Sequence, residues 1–453
     1  MVHFFTFNHN NIEYYFIWDI ESGSLFNVSN VAFLCAKNLY GTLSDRESDL
    51  FNKTPKDDIK FFSNEFKLLE QDGCLNSKQS VKSFKKNLNY VKALCLHICH
   101  DCNLNCDYCF AGGGKYNSPK DYMTFDVGKH AIDFLIENSG NIKNIEVDFF
   151  GGEPLMNFDV VKKITDYAKI TAKNSNKNIY FTLTTNCLLL NEDKANYLNE
   201  EMDNVVLSID GRKETHNAVR HSLNNKNAFD IILNNAKYFV KIRGNRKYYV
   251  RSTFTNKNLD FSNDVEFLRK EGFSQISVEP VVLPKNHKLA IQEKHIEKIN
   301  NEYDNLANSY IQKREEGNWY NFFHFMIDLE KGPCISKRLT GCGAGVEYLA
   351  VSPSGDLYPC HQFVGKEKFK IGNVFDGINK SEIRESFANN TVLIKENCKN
   401  CPAKYFCGGG CASNSYNFTG SISNTYDIGC KMLVKRFENS LAISAIEKIA
   451  SNS

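Results

Sequence analysis

Between residues 89 and about 325 one pattern repeats, and it limits the folds open to the chain. Apolar, β-rich segments recur, each followed by a stretch of helical spacing. The strand-like segments are "VKALCLHI" (91–98), "IEVDFF" (145–150), "IYFTLTT" (179–185), "VVLSID" (205–210), "YVRSTFT" (249–255) and "ISVEPVV" (276–282). Helical spacing is clear in "VGKHAIDFLIEN", "DVVKKITDYAKITA", "NAFDIILNNAKYFV" and "HIEKINNEYDNLANSYIQK". Repeated βα units predict an α/β fold with a parallel sheet, because parallel strands need crossover connections. Chemistry in such folds gathers at the C-terminal strand ends.

Two different regions flank the repeat. Residues 2–27 alternate as three short strands, "VHFFTF", "IEYYFIWDI" and "SLFNV", split by "NHNN" and "ESGS". Two helical stretches follow, one ending at Gly41 and one stopped at Gly73. Residues 1–88 thus read as a small β-plus-helix unit of winged-helix size. From residue 326 the regular pattern stops, and cysteine, glycine and short strands such as "EYLAVSPSGDLYPC" take over. A tail of 326–453 this rich in loops is expected to lack a large apolar core of its own, so bound metal is a natural staple. With 89–325 this gives three domains, as a chain of 453 residues allows.

The formal charge of +2 gives no reason to expect nucleic acid or a membrane as partner. The N-terminus lacks the pattern of a signal peptide, and no apolar run approaches the ~18 residues of a membrane span. The expected location is the cytoplasm. There, sixteen cysteines are not a disulfide framework, and clustered ones are expected to be metal or redox ligands. Cys35, Cys74, Cys95 and Cys187 stand apart and read as buried small hydrophobes.

Directly after the first strand comes "CHDCNLNCDYCF", with the spacing Cys102-x3-Cys106-x2-Cys109. Three thiolates in one loop suit three irons of a [4Fe–4S] cluster and leave the fourth iron open. Zinc is the plainer alternative, but structural zinc wants four ligands, usually as paired C-x2-C units, and no such mate lies near. The spacing, with an aromatic residue before the last cysteine, resembles the signature of radical S-adenosylmethionine enzymes. That resemblance implies a partial (β/α)6 TIM-like barrel. It also implies that the open iron takes the amino and carboxylate groups of S-adenosylmethionine, with Tyr108 and Phe110 packed nearby. Cys99 falls outside the triplet, and His97 and His100 read as structural.

Further matches close successive strands. In "FFGGEPL", Gly151 and Gly152 let backbone approach a ligand, Glu153 adds a carboxylate and Pro154 stiffens the turn. In the family this element contacts the methionine ammonium. "TLTTN" offers Thr185 and Asn186; "LSIDG" offers Ser208 and Asp210, followed by His216 and Arg220. These polar residues can also be simple caps and turns. Arg220 and Arg251 are candidates for pairing the cofactor carboxylate, since a guanidinium does so bidentately; surface solvation is the alternative for Arg220.

The tail runs Cys342-x12-Gly355-x4-Cys360, then Cys398-x2-Cys401-x5-Cys407-x3-Cys411-x18-Cys430. Two zincs would also satisfy such a set. The arrangement is similar to the SPASM extension of peptide-modifying radical enzymes, which implies two auxiliary [4Fe–4S] clusters and three clusters in all. The family's wiring gives Cys398, Cys401, Cys407 and Cys430 to an outer cluster and Cys342, Cys360 and Cys411 to an inner one. Cys334 is a possible fourth inner ligand. If it does not bind, a substrate thiolate could take the free iron.

Several stretches, "HDCNLNCDYCFAGGG", "RSTFT" and "GPCISKRLTGCGAGVEYLAVSPSGDLYPCHQFVG" among them, resemble the maturases of six-cysteines-in-forty-five-residues (SCIFF, ranthipeptide) peptides, which install thioether cross-links. The resemblance implies that the N-terminal unit binds the leader of a cysteine-rich precursor as an added strand. It implies reductive cleavage of S-adenosylmethionine to a 5′-deoxyadenosyl radical, hydrogen abstraction from the peptide and closure by a cysteine thiolate. A low-potential donor such as ferredoxin or flavodoxin would supply the electron. Two rival readings stay open: another SPASM modifier (a carbon–carbon cross-linker, epimerase or sulfatase maturase), and a non-catalytic zinc-binding adaptor.

Overall fold

The computed structural model describes residues 1–222 and 228–452, the last by its backbone alone; Asn227, which opens one of the helical segments read above, lies outside them. In the N-terminal unit, β1 (Val2–His9) and β2 (Ile12–Asp19) form an antiparallel hairpin, and β3 (Leu25–Val28) pairs with the far side of β2. The hairpin turns at Asn10 and Asn11, both at positive φ, a conformation asparagine tolerates and two-residue hairpin turns demand. Three helices cover the sheet: α1 (Asn30–Leu39), α2 (Asp45–Phe51) and α3 (Lys56–Gln71). Ile17, Phe33, Cys35 and Phe66 form their shared core. Helix α2 was not legible in the sequence, being short and without a buried residue; a Ser44–Glu47 capping box starts it.

The repeat folds as its spacing predicts. Strands Ala93–Cys99, Asn144–Gly151, Asn178–Thr185, Asn204–Ser208, Tyr248–Phe254 and Gln275–Pro280 lie side by side in sequence order, every neighbouring pair parallel. Two crossover helices escaped the periodicity reading, Glu192–Glu201 and Phe261–Lys270. Both are short and mostly polar, so each presents only a narrow apolar stripe.

Strand register sorts the side chains. Leu96, Phe149, Leu183, Leu207, Val250 and Val278 share the face covered by helices and are buried there. Residues of the other parity line the concave face. Cys95 stands opposite Asp148, and Asp148 opposite Thr182; Arg251 stands between Ser208 and Ser277, and Thr253 opposite Glu279. Most of these are only half-buried. A closed barrel of this type fills its interior with branched apolar side chains. Here the strands keep a polar concave face.

The tail departs from the expectation of a loop-rich appendage. Strand Tyr348–Val351 joins the open edge beside Ala93–Cys99 in parallel, and three short strands extend the sheet from there. The chain ends in a 26-residue helix, Asp427–Asn452. Its Met432, Phe437, Leu441 and Ile446 belong to the main core, together with Trp18 of the N-terminal unit. Tail and barrel therefore share one apolar core. Among the described residues no helix is long and apolar enough to cross a membrane.

Candidate iron–sulfur and cofactor site

The first barrel strand ends at Cys99, and the loop after it packs backbone against backbone on the turn at Gly151–Pro154. Gly152 donates its N–H to Cys99 O at 2.8 Å, and Glu153 donates to Asp101 O at 3.0 Å. A Cβ on Gly152 would stand 1.9 Å from Asp101 O, so only glycine fits. Gly114, at φ +86°, closes the same loop, with an added Cβ 2.9 Å from Gly152 Cα and 3.1 Å from Cys102 Cβ. Asp101 pins the loop's start, accepting from the N–H of Cys102 and the hydroxyl of Tyr122. Pro154 begins a short 3-10 turn, a position that needs no N–H.

Cys102, Cys106 and Cys109 form one group. Burial pushes the Cys102 thiol up to about 12, with the charges of Glu153, Cys106 and Cys109 adding to it. Burial likewise takes Cys106 to about 11, opposed by Arg220. Thiols this deep do not ionise together unaided; coordination to a metal replaces the protons, so the donor set fits an iron cluster. Cys99 is not part of this group: its thiol donates to the backbone oxygens of Glu153 and Asp101. Among the described residues no three His, Cys, Asp or Glu side chains converge as ligands of a single ion would. A cluster distributes its thiolates over several irons and does not require that convergence.

Most of the remaining residues singled out in the sequence are bonded to this loop or to its partner turn. Glu153 is fully buried and accepts three bonds, from Leu155 N, the Thr185 hydroxyl and Asn186 N. Burial nevertheless pushes its carboxyl up to about 7. Thr185 and Asn186 thus hold Glu153, while the Asn186 amide reaches Cys102 Sγ at 3.7 Å and Asn103 Oδ1 at 2.8 Å. Arg220 is not a solvated surface residue. A short ladder pairs Cys106 with Arg220, and the guanidinium grips Asp210 with two bonds, at 2.8 and 3.0 Å. Tyr108 lies under that guanidinium and donates to Asp210 at 2.6 Å. Burial would raise Asp210, but Arg220 outweighs it and holds the carboxyl below its ordinary range. The Arg220 fork is therefore engaged by Asp210. Arg251, beside Ser208 on the concave face, makes no side-chain hydrogen bond or ion pair among the described residues. His97 and His100 are buried and bonded to each other at 3.1 Å.

The C-terminal cysteines separate into two groups. Burial raises the thiols of Cys398, Cys401, Cys407 and Cys430, with Cys398 at about 11 and Cys430 at about 12; the charge of Cys407 adds to it at the other three, while nearby backbone N–H groups pull the other way in Cys401 and Cys407. Cys360 answers to burial, Cys411 and Cys342, and Cys411 to burial and Cys342. Cys334 is exposed, and its charge is felt at Lys86 and Tyr90. The smaller group lies against the first loop: the His361 ring, next to Cys360, meets Phe110 at 5.8 Å and Phe150 at 5.0 Å. Of the unassigned cysteines, Cys35, Cys95 and Cys187 are buried as expected, while Cys74 is only half-buried.

Several residues were not legible beforehand. Glu279 faces inward at the end of its strand, bonded to His324 at 3.2 Å and Arg436 at 3.3 Å. Its parity in "ISVEPVV" was the available signal; His324 and Arg436 are brought in by tertiary packing. Trp18 donates to Pro402 O at 3.1 Å, and Glu21 pairs with the buried Lys404, fastening the N-terminal unit to the loop between Cys401 and Cys407.

Comparison with known proteins agrees with this geometry. Residues 96–268 match the model of the Radical SAM superfamily, and residues 342–402 match SPASM, an iron–sulfur cluster-binding domain. A protein of uncharacterised function from Methanocaldococcus jannaschii is 30% identical over 70% of this chain and 96% of its own length. The cysteine-type anaerobic sulfatase-maturating enzyme of Clostridium novyi is 26% identical over 76% of this chain and 93% of its own. Among solved structures, anSMEcpe with bound AdoMet and the Kp18Cys peptide superposes with a TM-score of 0.65 at 22% identity, covering 80% of this chain and 99% of that one. Streptococcus suis SuiB bound to precursor peptide SuiA gives 0.52 at 17% identity, covering 92% of this chain and 96% of that one. Cover of 92% takes in part of the N-terminal unit, so the fold likeness extends beyond barrel and tail. The chain belongs to the radical SAM superfamily and carries a SPASM iron–sulfur cluster-binding domain, in a fold shared with anSMEcpe and SuiB.

Proposed function

We propose that this protein is a maturase that installs thioether cross-links from cysteine thiols to acceptor residues in a cysteine-rich ribosomal peptide. The observation that carries the reading is the placement of the three-thiol group of Cys342, Cys360 and Cys411 against the loop of Cys102, Cys106 and Cys109. A three-ligand set beside the cofactor mouth supports a substrate thiolate held close to the carbon it joins.

In this reading Cys102, Cys106 and Cys109 hold the first [4Fe–4S] cluster; Cys398, Cys401, Cys407 and Cys430 hold the outer auxiliary one; Cys342, Cys360 and Cys411 hold the inner, with Cys334 left aside. The first cluster with S-adenosylmethionine, when bound, supplies one-electron cleavage of the sulfonium and hydrogen-atom abstraction. The chain's own residues position and shield. Gly151 and Gly152 let backbone approach the methionine moiety, with Glu153 and Pro154 fixing that turn. Arg251 and Ser208 receive the carboxylate. Thr185 and Asn186 orient Glu153. Asp210 locks Arg220 and Tyr108 beside Cys106, and the aromatic wall of Tyr108 and Phe110 keeps water out.

The N-terminal unit is the leader-binding element. In the sheet β1–β2–β3, no strand among the described residues pairs with the outer edge of β3. That edge opens onto a groove lined by Leu25, Asn27, Leu329, Ala445 and Lys448. An extended leader added there gains main-chain hydrogen bonds along the strand. The reading calls for a low-potential donor such as ferredoxin or flavodoxin and places the reaction in the cytoplasm.

The test is anaerobic incubation of the reconstituted protein with S-adenosylmethionine, reductant and a cysteine-rich precursor. Loss of two hydrogens per cross-link, with the cysteine no longer alkylatable, is the expected product. Peptide oxidised with its cysteines still free would establish a different SPASM modification instead. Colourless protein binding only zinc would establish the adaptor reading.

A further inference from the structure

Lys395 is buried, with only 2% of its surface exposed, and no carboxylate lies within ion-pair distance of it among the described residues. Its ammonium donates to Gly409 O at 2.7 Å. Gly409 is the middle of the run Gly408–Gly410, all at positive φ, which joins Cys407 to Cys411. Lys395 therefore fastens the segment linking the four-thiol group to the three-thiol group. Burial disfavours its ammonium, and the side chains whose negative charge would favour it are those of Cys398, Cys407, Cys430 and Cys411. Lys404, the other buried lysine nearby, differs because Glu21 already neutralises it. A buried ammonium without a counter-anion is strongly disfavoured. An anionic cluster on these cysteines supplies the missing partner.

Resting on the cluster reading above, we infer that Lys395 is a shared cation of the two C-terminal clusters that sets their reduction potentials. Reduction adds negative charge to a cluster, and a fixed cation beside it stabilises the reduced form. Lys395 acts through the clusters and is a positioning residue.

The experiment uses full-length protein carrying Cys102→Ala, Cys106→Ala and Cys109→Ala, so that only C-terminal clusters report. Iron is counted, and an anaerobic redox titration is followed by electron paramagnetic resonance for Lys395 and for Lys395→Met and Lys395→Arg. The methionine variant is expected to lower the reduced-to-oxidised ratio of the outer cluster about tenfold at a fixed potential, a shift of about 59 mV for one electron. Arginine, which keeps the charge, is expected to hold the parent value. Loss of cluster iron in the methionine variant alone also supports a charge role. An unchanged potential with methionine, or equal shifts or equal iron loss in both variants, overturns it. Parent protein without C-terminal iron overturns the cluster reading itself, and Lys395's role with it.

Discussion

The loop of Cys102, Cys106 and Cys109 and the C-terminal cysteine groups use one side-chain type in opposite surroundings. The first loop is local: its thiols come from one short segment, and glycine contacts and Asp101 fix its backbone. Its neighbours are acidic or mutually neutralised, with Glu153 on one side and the Asp210–Arg220 pair on the other. The C-terminal groups draw thiols from distant segments, and beside Lys404 and Arg436, each paired with a carboxylate, stands Lys395, which has no ion-pair partner among the described residues. More positive surroundings favour reduced clusters, so under the proposed function the contrast predicts C-terminal potentials above that of the first cluster. A motif that binds and splits a cofactor can be written into one loop. A centre that receives electrons depends on charges that only the assembled fold provides.

Cys102→Ala, Cys106→Ala or Cys109→Ala should break the contrast most severely. Each is expected to abolish formation of 5′-deoxyadenosine, assayed by chromatography, while the iron of the C-terminal groups remains. Cys430→Ser should act on the other side. We expect it to remove about four irons and to cut peptide modification roughly 10–100-fold, with cofactor cleavage persisting. Equal loss of both activities would show that the two regions do not work separately.

A smaller effect tests how the N-terminal unit is tied to the outer group. Trp18 packs on Phe406 and Phe437, so Trp18→Ala should cost about 3–5 kcal/mol in denaturant unfolding and release outer-cluster iron first. The smallest effect concerns Glu153, whose folded-state carboxyl sits at about 7 against an ordinary value of 4.5. The folded protein then binds more protons than the unfolded chain between those two values. Its stability falls as pH rises through that window and levels off above it, by up to about 3 kcal/mol at roughly 1.4 kcal/mol per pH unit. Glu153→Gln should flatten the fall, as read from urea midpoints at pH 5 and 7.5.

The barrel was legible because its strands alternate with helices over a long stretch and hydrophobic parity repeats in each strand. The first loop was legible because ligand spacing within a dozen residues survives any fold. Arg220 was readable as a functional residue but not as the partner of Asp210, since that pairing depends on a ladder between Leu104–Cys106 and Arg220–Ser222. The tail's packing was not legible because its apolar residues, such as Phe437 and Leu441, find their partners in the barrel and the N-terminal unit.

Sequence alone determined the parallel α/β scaffold, the three-thiol loop and its glycine-bearing partner turn. These depend on short-range geometry: strand alternation, helix periodicity and the reach of neighbouring side chains. Tertiary structure decided which arginine Asp210 engages, and where Lys395 and Glu279 stand. Electrostatic pairing acts across space, and residues far apart in the chain become neighbours only when the shared core has closed.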